Sequence, residues 1–179
     1  NKTKMVAERV FLSYRDKLKV HCIRPATVCG LSPRMRLDVS VNMLTFQAIT
    51  NKKITVFGGS QTRPNIHIND MANVYRHLLK NPDIDSGCFN AGFENISILE
   101  IAKLVKKHID AEIIVTESND PRSYRQDSSK LLNTGFNKKY SIEDAIKEIK
   151  NSFLKGKLKN NDKYYTVKWM KNLKLDQKS

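Results

Sequence analysis

Lys4 and Glu8 stand four residues apart in KTKMVAERVFLSY, one helical turn, so both project from the same side of a helix. Val6, Ala7, Val10, Phe11 and Tyr14 recur beside them at helical spacing. A lysine held on such a helix lends positive charge to a neighbouring acid and favours its deprotonated form. Taken alone, Lys4 reads as an ordinary surface lysine. Cys22, Cys29 and Cys88 have no CxxC spacing and read as free thiols of a reducing compartment, with no metal site implied. The charge is more telling: 32 Lys and Arg against 18 Asp and Glu leave a net +14 in 179 residues. Such a field suits a solvated basic surface, a nucleic-acid groove, or the attraction of an anionic, phosphate-bearing substrate. The excess lies largely in residues 138–178, rich in Lys and Asn, with little Arg or aromatic interleaving. Without a helix-turn-helix, an aromatic RNA platform or a zinc pattern, the nucleic-acid reading stands second.

These residues depend on elements to position them. Residues 20–23 form an apolar run ended by Arg24-Pro25, a buried strand entering a loop. The loop 26–38 carries Gly30, Pro33, Arg34 and Arg36, and residues 39–49 return to helical spacing. Residues 53–57 are strand-like and stop at Gly58-Gly59, and residues 65–68 are extended. Asp70 caps a helix reaching Leu79, before Asn81-Pro82. A strand follows at 87–91, and Ser97 with Glu100 makes a capping box for a helix over 98–108. Residues 113–115 are a strand, 118–130 a polar stretch, and 141–153 a helix. Beyond Gly156 the chain is basic and weakly patterned until 164–170. Strands alternating with helices predict an α/β fold. The opening helix starts at full amplitude without a cap ahead of it. It reads as the back half of an enzyme whose nucleotide-binding front half lies outside these residues. No stretch reaches the length of a membrane span, and no signal peptide is visible.

Five segments, in order, resemble an extended short-chain dehydrogenase/reductase of the NAD-dependent nucleotide-sugar epimerase/dehydratase family. The family's Tyr-x-x-x-Lys helix matches NKTKMVAE at Lys4, which puts the Tyr immediately before Asn1. IRPATVCGLSP is similar to the family's RPxxVYGP turn, with Cys29 in place of the usual Tyr. ITVFGGSQTRPNIHINDMANVY resembles VFGxGxQxRDFxxVDDVA, with Pro64 in place of the usual Asp. CFNAGFENISILEIAKLV resembles xYNxGxGxxxSxxELAxxI, and NDPRSYRQDSSKLLNTGF resembles RxYxxDxSKxxxxLGF. The resemblance covers residues 1–153.

It implies the C-terminal half of a Rossmann-like extended fold with its small α/β substrate-binding domain. Residues 1–25 would end the Rossmann domain. Residues 26–156 would be the substrate-binding portion, with strand 87–91 returning to the Rossmann sheet, and 157–179 a basic tail. The resemblance makes Lys4 catalytic and, with Pro25 and Ala26, cofactor-binding. It makes Thr27, Asn42, Phe57, Arg63, Asn90, Arg122 and Tyr124 substrate-binding, with Arg63, Arg122 and Tyr124 at the diphosphate. Arg's fork geometry suits phosphate oxygens. NAD, or NADP in its place, would take hydride from the sugar, and Lys4 would lower the pKa of the Tyr acting as base. The expected activity is a UDP-glucose 4-epimerase-like one. A 4,6-dehydratase or keto-reductase is the alternative, and a non-catalytic binding protein or a basic nucleic-acid-binding protein the rival from another class. The expected partners are a nucleotide-diphosphate sugar and, at full length, a second subunit. The expected location is cytoplasmic, away from membrane. The 179 residues alone are expected to be inactive.

Overall fold

The computed structural model of the chain describes residues 2–117 and 122–173. Part of the polar stretch (118–121), the first residue and the last six of the basic tail lie outside the described residues. The helices are α1 (Lys2–Ser13), α2 (Ser40–Asn51), α3 (Ile68–Lys80), α4 (Ile98–His108), α5 (Ser129–Leu132), α6 (Ile142–Leu154) and α7 (Thr166–Asn172). The strands are β1 (His21–Pro25), β2 (Thr27–Cys29), β3 (Lys53–Phe57), β4 (Thr62–His67), β5 (Gly87–Ala91), β6 (Glu94–Ser97) and β7 (Glu112–Thr116).

Three small sheets result, and most of the pairing is parallel. β1 pairs with β5, β3 with β7, and β2 with β4, all parallel; β6 closes the middle sheet antiparallel to β4. Parallel neighbours need helical crossovers, and these helices cover the sheets. The largest core lies where α2, α4 and α6 meet β3, around Leu44, Ile54, Val56, Ile101, Val105 and Ile146. A second joins α3 to β1 and β5 through Val74, Leu78, Phe89 and Phe136. A third gathers Met35, Leu37, Phe46, Ile149 and Leu158, and Tyr164 and Tyr165 pack against it. Burying each such aliphatic or aromatic side chain contributes about 1.5–3 kcal/mol, which locks the crossovers onto the sheets.

The local signals act as their chemistry requires. Ser97 and Glu100 form the reciprocal capping box, and Ser141 with Asp144 forms a second that the pattern did not announce. Gly58 and Gly59 both have positive φ, 74° and 109°, which permits the tight turn after β3. A Cβ on Gly59 would also press against Leu99 and Val56 at 3.2 Å.

Other expectations need correction. Asp70 is not the cap of α3. The chain turns helical two residues earlier, and the His67 ring accepts from the Asn69 N–H as the cap. Asp70 is fully buried, and its carboxylate accepts the backbone N–H groups of Lys139 and Tyr140. The loop over 26–38 contains β2, a three-residue strand too short for periodicity to reveal. β6 falls between the strand at 87–91 and the Ser97 cap, where the pattern assigned no element, and α5 starts at the end of the stretch read as polar. The last segment splits into a 3-10 turn at Asp162–Tyr164 followed by α7.

Candidate functional site

β1 and β5 run in register from His21 beside Gly87 to Pro25 beside Ala91, so both deliver their carboxyl ends to one edge. In open α/β sheets that edge is where ligands bind. A cleft of about 470 Å³ opens there. Pro25, Ala26, Thr27 and Asn90 form one side, and Pro64 from β4 with residues 124–127 the other.

Residues 122–128 have no regular secondary structure and depend on side chains for their position. The Thr62 N–H donates to Ser123 Oγ at 3.0 Å, and the Tyr124 N–H to the Thr62 carbonyl at 3.3 Å. Gln126 Nε2 donates to the Arg24 carbonyl at 2.8 Å, and its backbone N–H to Asn95 Oδ1 at 2.8 Å. Asn90 Nδ2 donates to the Asp127 carbonyl at 2.8 Å. Ser128 Oγ donates to the Gly92 carbonyl and accepts the Gly92 N–H. A Cβ on Gly92 would collide with Gln126 Oε1 and stand 2.6 Å from the Ala26 Cβ, so only glycine lets this strap lie so close. The strap is thereby stitched to the ends of β1, β4, β5 and β6.

Arg63 and Tyr124 meet across the cleft wall. The guanidinium lies 5.0 Å from the Tyr124 ring centroid and donates to the carbonyls of Thr62, at 3.0 Å, and Arg122. A planar cation stacked on an aromatic face and anchored by backbone carbonyls is oriented for charge-assisted bonds to an anion. Arg125 adds a second cation to the same wall.

A second cleft, of about 440 Å³, adjoins the first through Ala26 and Thr27 and runs past Val28, Gly30, Arg34 and Arg36. Asn42 reaches it, but its side chain is 2% exposed and engaged. Its Oδ1 accepts the Gly30 N–H at 2.9 Å, and its Nδ2 donates to the Arg36 carbonyl at 2.8 Å. Asn42 therefore holds the loop that carries Arg34 and Arg36. Cys29 is buried, and burial, with Glu94 adding to it, pushes its thiol up to about 12. Its Sγ faces the Ile66 carbonyl at 3.5 Å, so it is an inert part of the wall.

Lys4 is exposed on α1 and lies outside the lining of either cleft. Its helix is tied to the end of β1 by a two-pronged pair in which Arg24 Nε donates to Glu8 Oε2 at 2.9 Å, and Nη2 to Oε1. The Arg24 hydrogen bond holds the Glu8 carboxyl below the usual carboxylate range. Phe57 sits exposed at the end of β3 and lines neither cleft. The structure thus gathers Pro25, Ala26, Thr27, Asn90 and Tyr124 at one cleft, with Arg63 against Tyr124. It sets Lys4, Asn42 and Phe57 apart from that wall. Asp127, a letter of the matched RxYxxDxSK segment, lines it too, as do Arg125 and Gln126, which were not singled out by the sequence. Their signal was only their place between Tyr124 and the following helix.

This arrangement, a cleft at the carboxyl edge of parallel strands with a stitched basic strap, is that of a Rossmann-like extended dehydrogenase/reductase fold. The model of the NAD dependent epimerase/dehydratase family matches residues 1–92, just over half of the chain, and the protein belongs to that family. Among solved structures, UDP-glucuronic acid 4-epimerase from Bacillus cereus, in complex with UDP-glucuronic acid and NAD, superposes with a TM-score of 0.70 at 25% identity. That match covers 86% of this chain and 51% of that one. UDP-glucose 4-epimerase from Thermotoga maritima gives 0.71 at 24% identity, covering 87% and 52%. dTDP-glucose 4,6-dehydratase from Bacillus anthracis gives 0.69 at 19% identity, covering 92% and 51%. The last two carry the fold alone. The chain spans about half the length of the solved structures it matches. Among the described residues no helix is long and apolar enough to cross a membrane.

Proposed function

We propose that this chain is the substrate-binding half of a nucleotide-sugar 4-epimerase that oxidises its sugar to a transient 4-keto form and reduces it again on the other face. The observation that carries the reading is Arg63 stacked on Tyr124 beside the cleft at the ends of β1 and β5. A diphosphate needs a fixed, forked cation, and a sugar needs a polar wall close to a cofactor's reactive face.

The residues present fit NAD. Pro25 and Ala26 present small side chains to an open cleft, and Lys4 is an exposed ammonium without an acidic partner at ion-pair distance among the described residues. When bound, NAD supplies the hydride acceptor and donor, and NADP could supply the same chemistry. Pro25 and Ala26 wall the nicotinamide side, and Lys4 holds the ribose. Lys4 also supplies positive charge that favours the deprotonated form of the reaction's general base. Thr27 and Asn90 orient the sugar, while Arg63, Arg122 and Tyr124 hold the diphosphate. Residues 1–25 and β5 belong to the cofactor-binding domain, residues 26–156 otherwise to the substrate side, and 157–179 to a basic tail. The full protein acts in the cytoplasm as a homodimer, and the 179 residues alone are inactive.

The test is the protein expressed as its gene encodes it, incubated with NAD and UDP-, dTDP- and GDP-sugars, with product read by mass and by NMR. Unchanged mass with an inverted sugar carbon is expected. Loss of water would make it a 4,6-dehydratase instead, and absence of turnover on every sugar would overturn the enzymatic reading.

A further inference from the structure

A third cleft, of about 320 Å³, lies on the outer face of α3, away from the residues assigned to the sugar nucleotide. Asn73, Arg76, His77 and Lys80 fall at successive helical-turn positions and share that face. Asn137 and Lys139, from the segment entering α6, form the facing wall. Arg76, Lys80 and Lys139 therefore converge on one small space, and no Asp or Glu lines it. None of the three has an acidic partner at ion-pair distance among the described residues, whereas neighbouring Lys138 pairs with Glu94.

The floor is ordered and apolar. Phe136 is 5% exposed, stacks on Phe93 and meets the His77 ring edge-on at 5.6 Å. His77 is fixed further by Thr134 Oγ1, 2.8 Å from its Nε2. Lys139 is fixed by its backbone, since its N–H is held by the buried Asp70 carboxylate. Cations gathered over a low-dielectric floor repel one another and attract an anion more strongly than they would on an open surface. A single phosphate would leave one or more of the three cations uncompensated; two adjacent phosphates match them.

We propose that the cleft between α3 and the 137–139 segment is a second anion site, which takes a small ligand bearing two or more adjacent phosphates. The ligand's source is an inorganic polyphosphate or the diphosphate of a nucleotide. The site acts apart from the sugar-nucleotide cleft, because Arg63 and Tyr124 share no wall with it.

The chain has four histidines, and His77 is the one in this cleft, so its ring reports on occupancy. The protein as its gene encodes it is titrated at constant ionic strength with inorganic pyrophosphate and, separately, with UDP. The histidine ring carbon–proton signals are followed by NMR, and His77 is assigned through His77→Asn. A saturable shift of His77 is expected with pyrophosphate. The double variant R76Q/K80Q should weaken it about tenfold or more, while R63A leaves it unchanged. Because all three cations are exposed, K139Q serves as a second variant should the double one melt without cooperativity. A tighter His77 response to UDP than to pyrophosphate identifies a nucleotide as the source, and equal responses an inorganic one. A His77 signal that stays still, drifts without saturating, or responds equally in R76Q/K80Q overturns the proposal.

Discussion

At the scale of single residues, a few side chains acquire roles only through their partners. Arg63 lies against Tyr124 and donates to two backbone carbonyls, which fixes the plane of its fork. Lysine would keep the charge but lose that plane and the stacking. We expect Arg63→Lys to weaken UDP binding about tenfold, seen by calorimetry, with KM rising more than kcat falls. An unchanged affinity would move the diphosphate elsewhere. Arg63 was marked in the sequence by the family resemblance of the segment around it. Arg125 and Gln126 were not, because a strap held by side-chain hydrogen bonds has no period to read. Asn42 shows the opposite difficulty. An Asn on a helix facing a cleft suits a ligand contact, yet its amide is engaged with Gly30 and Arg36.

At the scale of elements, helix starts carry chemistry that pH can switch. Glu100 is held below the usual carboxylate range by Ser97, and Asp144 likewise by Ser141. Their native values lie below their unfolded ones, so the stability they contribute is complete above about pH 4.3, the unfolded range. It is lost as pH falls through the depressed native values. Ser97→Ala and Ser141→Ala should each cost about 1 kcal/mol near neutral pH, measured by urea unfolding. That gap should narrow as the solution is acidified below about pH 4; a gap independent of pH would separate the carboxylates from the caps. The Ser97 box was readable because Glu follows at the right interval ahead of an apolar run. The start of α3 was misread. Asp70 is a common cap residue, but a cap needs its side chain free to turn back on its own helix. Here Lys139 and Tyr140, some seventy residues on, hold that carboxylate instead.

At the scale of the whole molecule, α1 has no buried residue, and Val6, Val10, Phe11 and, just past its end, Tyr14 are each at least half exposed. A stripe of that kind is covered in a stable assembly. The isolated chain is therefore expected to self-associate in sedimentation runs. A monodisperse monomer from the 179 residues alone would refute the expectation. The sequence by itself determined the α/β alternation, the turn at Gly58-Gly59, one capping box and the family signature, because each is written in neighbouring residues. Tertiary structure alone decided which strands pair, that β1 and β5 end together at one edge, and that residues 122–128 close the cleft. It also decided that Asp70 is buried and that Arg76, Lys80 and Lys139 meet. Those outcomes depend on contacts between segments distant in the chain. Such contacts form when apolar faces are buried together, and local pattern does not encode which faces meet.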